Sequence, residues 1–198
     1  MMDLSLLQEI LVNTKNGIQL EKKPLVGLAA LDPLTRIYNR EFFDSQLDAE
    51  WKTALAARGK LTLFLMDIDD FHLLCKTSHQ PSVDYALLKI AKTLKLLFRR
   101  SSDFVCRFQD NQFALLTVRM DEADCAKYAE TICDRVRKLR VVNPESSLGF
   151  LTISVGYATY KPKKENTQQR LIDAALLSLQ HTKQLKHNRS VSNEVSFI

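Results

Sequence analysis

Residues 104–108 (Phe-Val-Cys-Arg-Phe) and 113–118 (Phe-Ala-Leu-Leu-Thr-Val) are two short apolar runs flanking four polar residues, Gln109, Asp110, Asn111 and Gln112. This pattern predicts a β-hairpin with an exposed polar tip. Asp-Asn suits its turn, because short polar side chains tolerate positive φ. The register is constrained as well: a slip of one residue would rotate Phe113 off its core face. Whatever the tip does, it is presented by a strand pair that needs a sheet to join.

The rest of the chain supplies one. A continuous apolar run at 61–66, ending at Asp67, fits a buried strand. Phe43, Leu47, Trp51 and Leu55 recur every four residues in 41–58, an amphipathic helix stopped by Gly59. Pro81-Ser82 opens a second helix, with Ser82 as N-cap and Val83, Leu87, Ile90, Leu94 and Leu97 on one face. A helix over 122–139, a strand over 151–160 and a helix over 168–186 follow. The leading residues 3–12 carry Leu4, Leu7 and Leu11 at helical spacing, too short for a long coiled coil. The expected organisation is an N-terminal helix and linker (1–30), one α/β domain (31–187) with helices covering a central sheet, and a C-terminal tail (188–198).

With 198 residues, 45% of them apolar, the chain can build a real core. Its 26% charged residues argue against wholesale disorder, and its net charge is +5. Basic clusters at Arg99-Arg100, 135–140 and 161–164 could attract nucleotides or an acidic partner. They lack an aromatic-rich RNA-binding motif, so nucleic acid is not the expected ligand. Cys75, Cys106, Cys125 and Cys133 form no CxxC pair and are expected as reduced thiols. His72, Cys75 and His79 have metal-ligand spacing but no convincing fourth ligand. No run approaches a membrane span and no secretory leader is apparent, so a cytoplasmic protein is expected.

Three landmarks stand in order: Leu31-Asp32-Pro33-Leu34-Thr35-Arg36-Ile37-Tyr38-Asn39-Arg40, Phe64-Leu65-Met66-Asp67-Ile68-Asp69-Asp70-Phe71, and the hairpin. Together they resemble the GGDEF family of bacterial diguanylate cyclase domains over about 31–186. The resemblance implies an α/β (α+β) nucleotide-cyclase palm, a mainly antiparallel sheet surrounded by helices. It also implies a known chemistry: an antiparallel homodimer joins two GTP molecules into cyclic di-GMP with divalent metal. In the family the hairpin tip reads Gly-Gly-Asp/Glu-Glu-Phe; here only Phe113 remains, and Gln109, Asp110, Asn111 and Gln112 are degenerate positions.

The resemblance assigns metal binding to Asp67 and the Ile68 carbonyl, with further carboxylates from the tip. Amides at Asn111 and Gln112 supply no negative charge, and loss of a general base alone costs about 10²–10⁴ in rate. Side chains at Gln109 and Asp110 obstruct the phosphate approach that glycines permit. Of the guanine contacts, Asp84 matches the family's aspartate seventeen residues beyond Asp67, whereas the partner asparagine falls at Cys75. The phosphate-binding Lys and Arg fall at Gln180 and Gln184, with Lys183 near enough to compensate in part.

Arg100 and Asp103 stand nine and six residues before Gln109, the register of the family's RxxD motif for cyclic di-GMP. Arg offers a planar fork to phosphate or guanine, and Asp accepts from guanine N–H groups. A catalytically inactive signalling domain is therefore expected, binding cyclic di-GMP or a protein partner. It would need no cofactor, and magnesium would enter only with bound GTP. The alternatives are a weak cyclase organised by Asp67, Asp110 and Asp84, and a dimerisation scaffold without nucleotide.

Overall fold

The computed structural model describes residues 30–98, 103–118, 120–184 and 190–192. The leading helix read from sequence, the Arg99-Arg100 cluster and the last six residues lie outside these.

The apolar run becomes strand β1 (Leu61–Ile68), buried at every position. It is longer than the run suggested, and Asp67 lies within the strand. β1 is flanked by β3 (Gln112–Val118) and β4 (Ile153–Tyr160), both antiparallel to it. β2 (Phe104–Arg107) pairs with β3 as the hairpin, and β5 (Ser190–Ser192) adds to β4 in parallel, giving the order β2-β3-β1-β4-β5. The sheet is thus mainly antiparallel. β5 falls in the segment that the sequence reading left as an unassigned tail.

Alternation along β1 divides the core. Phe64, Met66 and Ile68 face α3 (Gln80–Leu97) and α4 (Glu122–Lys138), joined by Phe113, Leu115, Val155 and Tyr157 from neighbouring strands. Leu61, Leu63 and Leu65 face α1 (Arg40–Ala57) and α5 (Gln169–Gln184), with Ala114, Leu116, Ala158 and Tyr160. Burial on both faces explains why β1 reads as a continuous apolar run. A short helix, α2 (Phe71–Thr77), follows β1.

Several local expectations are corrected. In α1 the buried positions are Phe43, Leu47, Trp51 and Ala54, not Leu55. A strict four-residue repeat drifts around a helix of 3.6 residues per turn, and by the third step Ala54 faces the core instead. The left-handed residue ending α1 is Arg58 (φ 52°), not Gly59, with the Gly59 N–H closing back on the Ala54 carbonyl at 2.8 Å. The N-cap of α3 is His79, and Ser82 lies inside the helix.

Gly156 has a packing role. It sits opposite Leu65 on the α5 side of β4, and a Cβ there would overlap the backbone at Ser178 and Leu179. The missing side chain lets α5 press onto the strand, where Ser178 and Thr182 hydroxyls bond to the Tyr157 N–H and the Val155 carbonyl.

Candidate functional site

The first landmark is a pinned loop. Asp32 Oδ1 accepts from the Thr35 backbone N–H (2.7 Å) and hydroxyl (2.6 Å), and its carboxylate pairs with Arg107 at 3.3 Å. Burial by itself would raise the Asp32 pKa, but the Thr35 hydrogen bonds and the Arg107 charge outweigh it and hold it below the ordinary carboxylate value. The Tyr38 carbonyl then accepts from the Arg107 N–H, and Asn39 caps α1 by accepting from the Phe42 N–H at 2.9 Å. This loop therefore clamps the base of the hairpin to the start of α1.

At the other end of the hairpin, Gln109 and Gln112 close the turn through reciprocal backbone hydrogen bonds of 3.2 and 3.3 Å. Asp110 and Asn111 are absent from the positive-φ positions, so the turn does not use the left-handed geometry expected of the pair. Instead the Arg107 guanidinium donates to the Asp110 carbonyl (2.9 and 3.2 Å), bracing the tip from beneath. The side chains of Gln109 and Asp110 are exposed.

Strand alternation turns Asp67 toward α5, and the register places Gln112 directly opposite. Asp67 is only 5% exposed. Gln112 Nε2 donates to its Oδ2 at 2.7 Å, and Asn111 Nδ2 donates to its Oδ1 at 2.9 Å. Asn111 Nδ2 also approaches the Ile68 carbonyl at 3.4 Å. From α5, the Lys183 ammonium reaches Asp67 Oδ1 at 2.6 Å. A carboxylate only accepts, so the two amides must present their NH₂ groups to it, and their oxygens point elsewhere.

The consequence is chemical. A hard dication needs several oxygen ligands directed at one point. Here one carboxylate is surrounded by three N–H donors. Among the described residues no group of three His, Cys, Asp or Glu side chains is arranged to hold a metal ion. The donor set around Asp67 does not fit magnesium.

The remaining candidates are spread out. Asp84, half-buried on α3, accepts from Gln80 Nε2 at 2.8 Å, and Cys75 is exposed on α2. Among the described residues neither is bonded to the Asp67 cluster. Gln180 and Gln184 are exposed on α5. Asp103 accepts from the Thr117 hydroxyl at 3.0 Å; Arg100 lies outside the described residues. Asp69, buried like Asp67, takes hydrogen bonds from Thr152 (2.6 Å) and Ser154 (2.7 Å) and ties β1 to the start of β4.

Sequence reasoning missed the mutual pairing of Asp67, Asn111, Gln112 and Lys183. The spacing between Asn111-Gln112 and Asp67 carries no sign of it; only the fact that both residues standing at the tip's acidic positions carry N–H donors does.

Residues 29–189 match the family described as "Diguanylate cyclase, GGDEF domain". The probable diguanylate cyclase DgcT of Escherichia coli is 28% identical over 159 residues, covering 79% of this chain and 34% of DgcT. MucR of Pseudomonas aeruginosa, a bifunctional diguanylate cyclase and cyclic di-GMP phosphodiesterase, is 25% identical, covering 84% of this chain and 24% of MucR. The chain thus spans about a third or less of these relatives. The GGDEF domain of Caulobacter crescentus DgcB, solved in complex with cyclic di-GMP, superposes with a TM-score of 0.74 at 25% identity, covering 84% of this chain and 94% of that one. The pinned loop, the antiparallel sheet with its exposed hairpin and the matched span agree: the chain belongs to the GGDEF diguanylate cyclase family.

Proposed function

We propose that this GGDEF domain does not synthesise cyclic di-GMP and acts by binding, as a cyclic di-GMP receptor through Arg100 and Asp103 or through a protein partner. One observation carries the proposal: both oxygens of Asp67 are engaged by Asn111, Gln112 and Lys183. In a cyclase this carboxylate would serve a metal that neutralises triphosphate charge. Here a fixed ammonium neutralises it. A dication entering the cluster would have to displace three donors.

The receptor branch is supported by the offset of Arg100 and Asp103 from the hairpin and by the likeness to the DgcB domain, which binds cyclic di-GMP. The partner branch is favoured by a cleft of about 690 Å³ between α2, α3 and the segment after α4, where Tyr85 and Val142 are exposed. Large apolar side chains grouped at a cleft are common at binding surfaces.

Incubation with GTP and magnesium is expected to yield no cyclic di-GMP. Product formation that disappears in Asp67→Ala would overturn the proposal and restore the weak-cyclase reading. Titration calorimetry with cyclic di-GMP is expected to show binding that is lost in Arg100→Ala. A folded protein that gives no heat, yet forms a defined dimer by light scattering, would move the function to a scaffold.

A further inference from the structure

After α4 the chain turns through Leu139 into Arg140, whose φ of 50° is left-handed and whose N–H closes on the Arg137 carbonyl at 3.3 Å. Glycine is the usual residue just past a helix end in this conformation, because a Cβ strains it. A larger residue held there raises the question of what its side chain does. A cation suits a helix C-terminus, but Arg137 and Lys138 already stand there, both paired with Asp134 at 2.9 and 2.6 Å. Among the described residues Arg140 has no carboxylate within ion-pair distance. Its guanidinium lies over the Phe150 ring at 4.1 Å.

Arg140 lines the cleft of about 690 Å³ between α2, α3 and the segment after α4. That volume falls within the range of binding pockets, roughly 300–1,000 Å³. Leu74, Pro81, Leu139 and Val141 give the cleft an apolar lining, and no carboxylate lines it. Val142 is 67% exposed and Tyr85 53%, so two large apolar side chains face solvent at its edge. One turn beyond Tyr85 on α3, the Lys89 ammonium lies 5.3 Å from the tyrosine ring, also without an ion-pair partner among the described residues. The wall that carries Val142 is held in place. Val142 bridges to Phe150, the Leu151 N–H donates to the Val141 carbonyl at 2.8 Å, and the buried Asn143 side chain donates to the Asp70 carbonyl at 3.2 Å.

We infer that this cleft docks a short acidic, amphipathic segment of a protein partner. An apolar anchor of the partner enters beside Tyr85 and Val142, and a flanking carboxylate reaches Arg140. Apolar anchors seated in a preformed pocket carry most of the affinity of such contacts. Opposite charge at the edge adds specificity and speeds encounter. The spacing of an amphipathic helix laid in a groove would satisfy both demands. A phosphate group fits less well, since it asks for several donors converging on one point, and a single guanidinium stands in a largely apolar lining. The inference rests on the partner branch of the proposed function and names the chemistry of that partner.

Random twelve-residue peptides displayed on phage and selected against the full chain test it without presupposing a sequence. Enriched peptides are expected to carry Asp or Glu beside Leu, Phe or Trp. A fluorescent copy of the most enriched peptide then serves as the probe in anisotropy titrations. Its affinity is expected to fall at least about tenfold in both Arg140→Gly and Val142→Asp, and to weaken as salt is raised. Leu177→Asp, at an exposed position on α5, should leave it unchanged. Arg140→Gly also relieves the left-handed backbone, so a melting temperature close to wild type separates lost binding from lost folding. Enriched peptides without acids, or with affinity unchanged in either cleft variant, overturn the inference and leave the partner branch to another surface. No enrichment overturns it as well, and cyclic di-GMP titration of the same sample then decides whether the receptor branch stands. A dimer by light scattering that Arg140→Gly dissolves assigns the cleft to a second copy of the chain and likewise overturns it.

Discussion

Lys183 Nζ lies 2.6 Å from Asp67 Oδ1, so the last helix puts a positive charge on a carboxylate inside the central strand, one residue before its end. The contact follows from strand alternation: Leu61, Leu63, Leu65 and Asp67 share the sheet face that α5 covers. It is unequal in exposure, the lysine side chain being 41% exposed and the aspartate 7%. The pair therefore works as a buried acceptor with a half-solvated counter-charge.

That inequality sets the cost of breaking it. Lys183→Met is expected to destabilise by about 1 kcal/mol, because solvent screening reduces the value of the exposed partner while the amides still hold Asp67. Chemical denaturation of Lys183→Met, Asp67→Asn and the double variant gives the coupling, expected at about 0.5–1 kcal/mol. A coupling of zero would mean that the contact contributes nothing in solution.

Restoring the acids should restore metal dependence. Asn111→Asp combined with Gln112→Glu exchanges two N–H donors for two carboxylates beside Asp67. Without a dication this is expected to cost about 1–3 kcal/mol, from lost hydrogen bonds and like-charge contact. Millimolar magnesium should return much of that loss, since an ion binding only the folded state stabilises it. Thermal melts with and without magnesium check this. An equal response of wild type and variant to magnesium would contradict the account of the cluster.

Gly156→Ala should be among the most damaging single-atom changes available. Its Cβ would overlap the backbone of α5 rather than the end of a flexible side chain, so strand and helix must separate. Overpacking of this kind costs roughly 1–3 kcal/mol or more. Urea titration followed by circular dichroism measures it. A loss below about 0.5 kcal/mol, the range of ordinary surface changes, would show that α5 can shift freely.

Stability should depend on Asp32 in a defined pH window. Its folded pKa is lowered, so its contribution is fully present above the unfolded carboxylate value of about 4 and is lost as pH falls through the folded value. Asp32→Asn should accordingly lower the melting temperature at pH 7 and converge with wild type at strongly acidic pH. A difference that persists undiminished in acid would assign the effect to packing instead of charge.

The order of helices and strands was largely legible because it rests on local periodicity. The run at 61–66, the amphipathic face of α3 and the hairpin all appear as patterns within one element. The errors are local too. Ala54 replaces Leu55 because a four-residue repeat drifts on a 3.6-residue helix, and Arg58, not Gly59, takes the left-handed position. The α2 helix escaped notice because seven residues offer too little periodicity.

At the site, the motif order identified Asp67, the hairpin tip and their lost acidity. It did not disclose that Asn111, Gln112 and Lys183 converge on Asp67, because they come from chain segments 44, 45 and, for Lys183, 116 residues away.

Residue chemistry by itself determined the family, the order of the longer elements and the loss of tip carboxylates, since each is written in contiguous residues. The order of strands in the sheet and the cation on Asp67 were decided by tertiary structure alone. They depend on register and on which faces are pressed together, and those are set by burial of the two cores across distant parts of the chain.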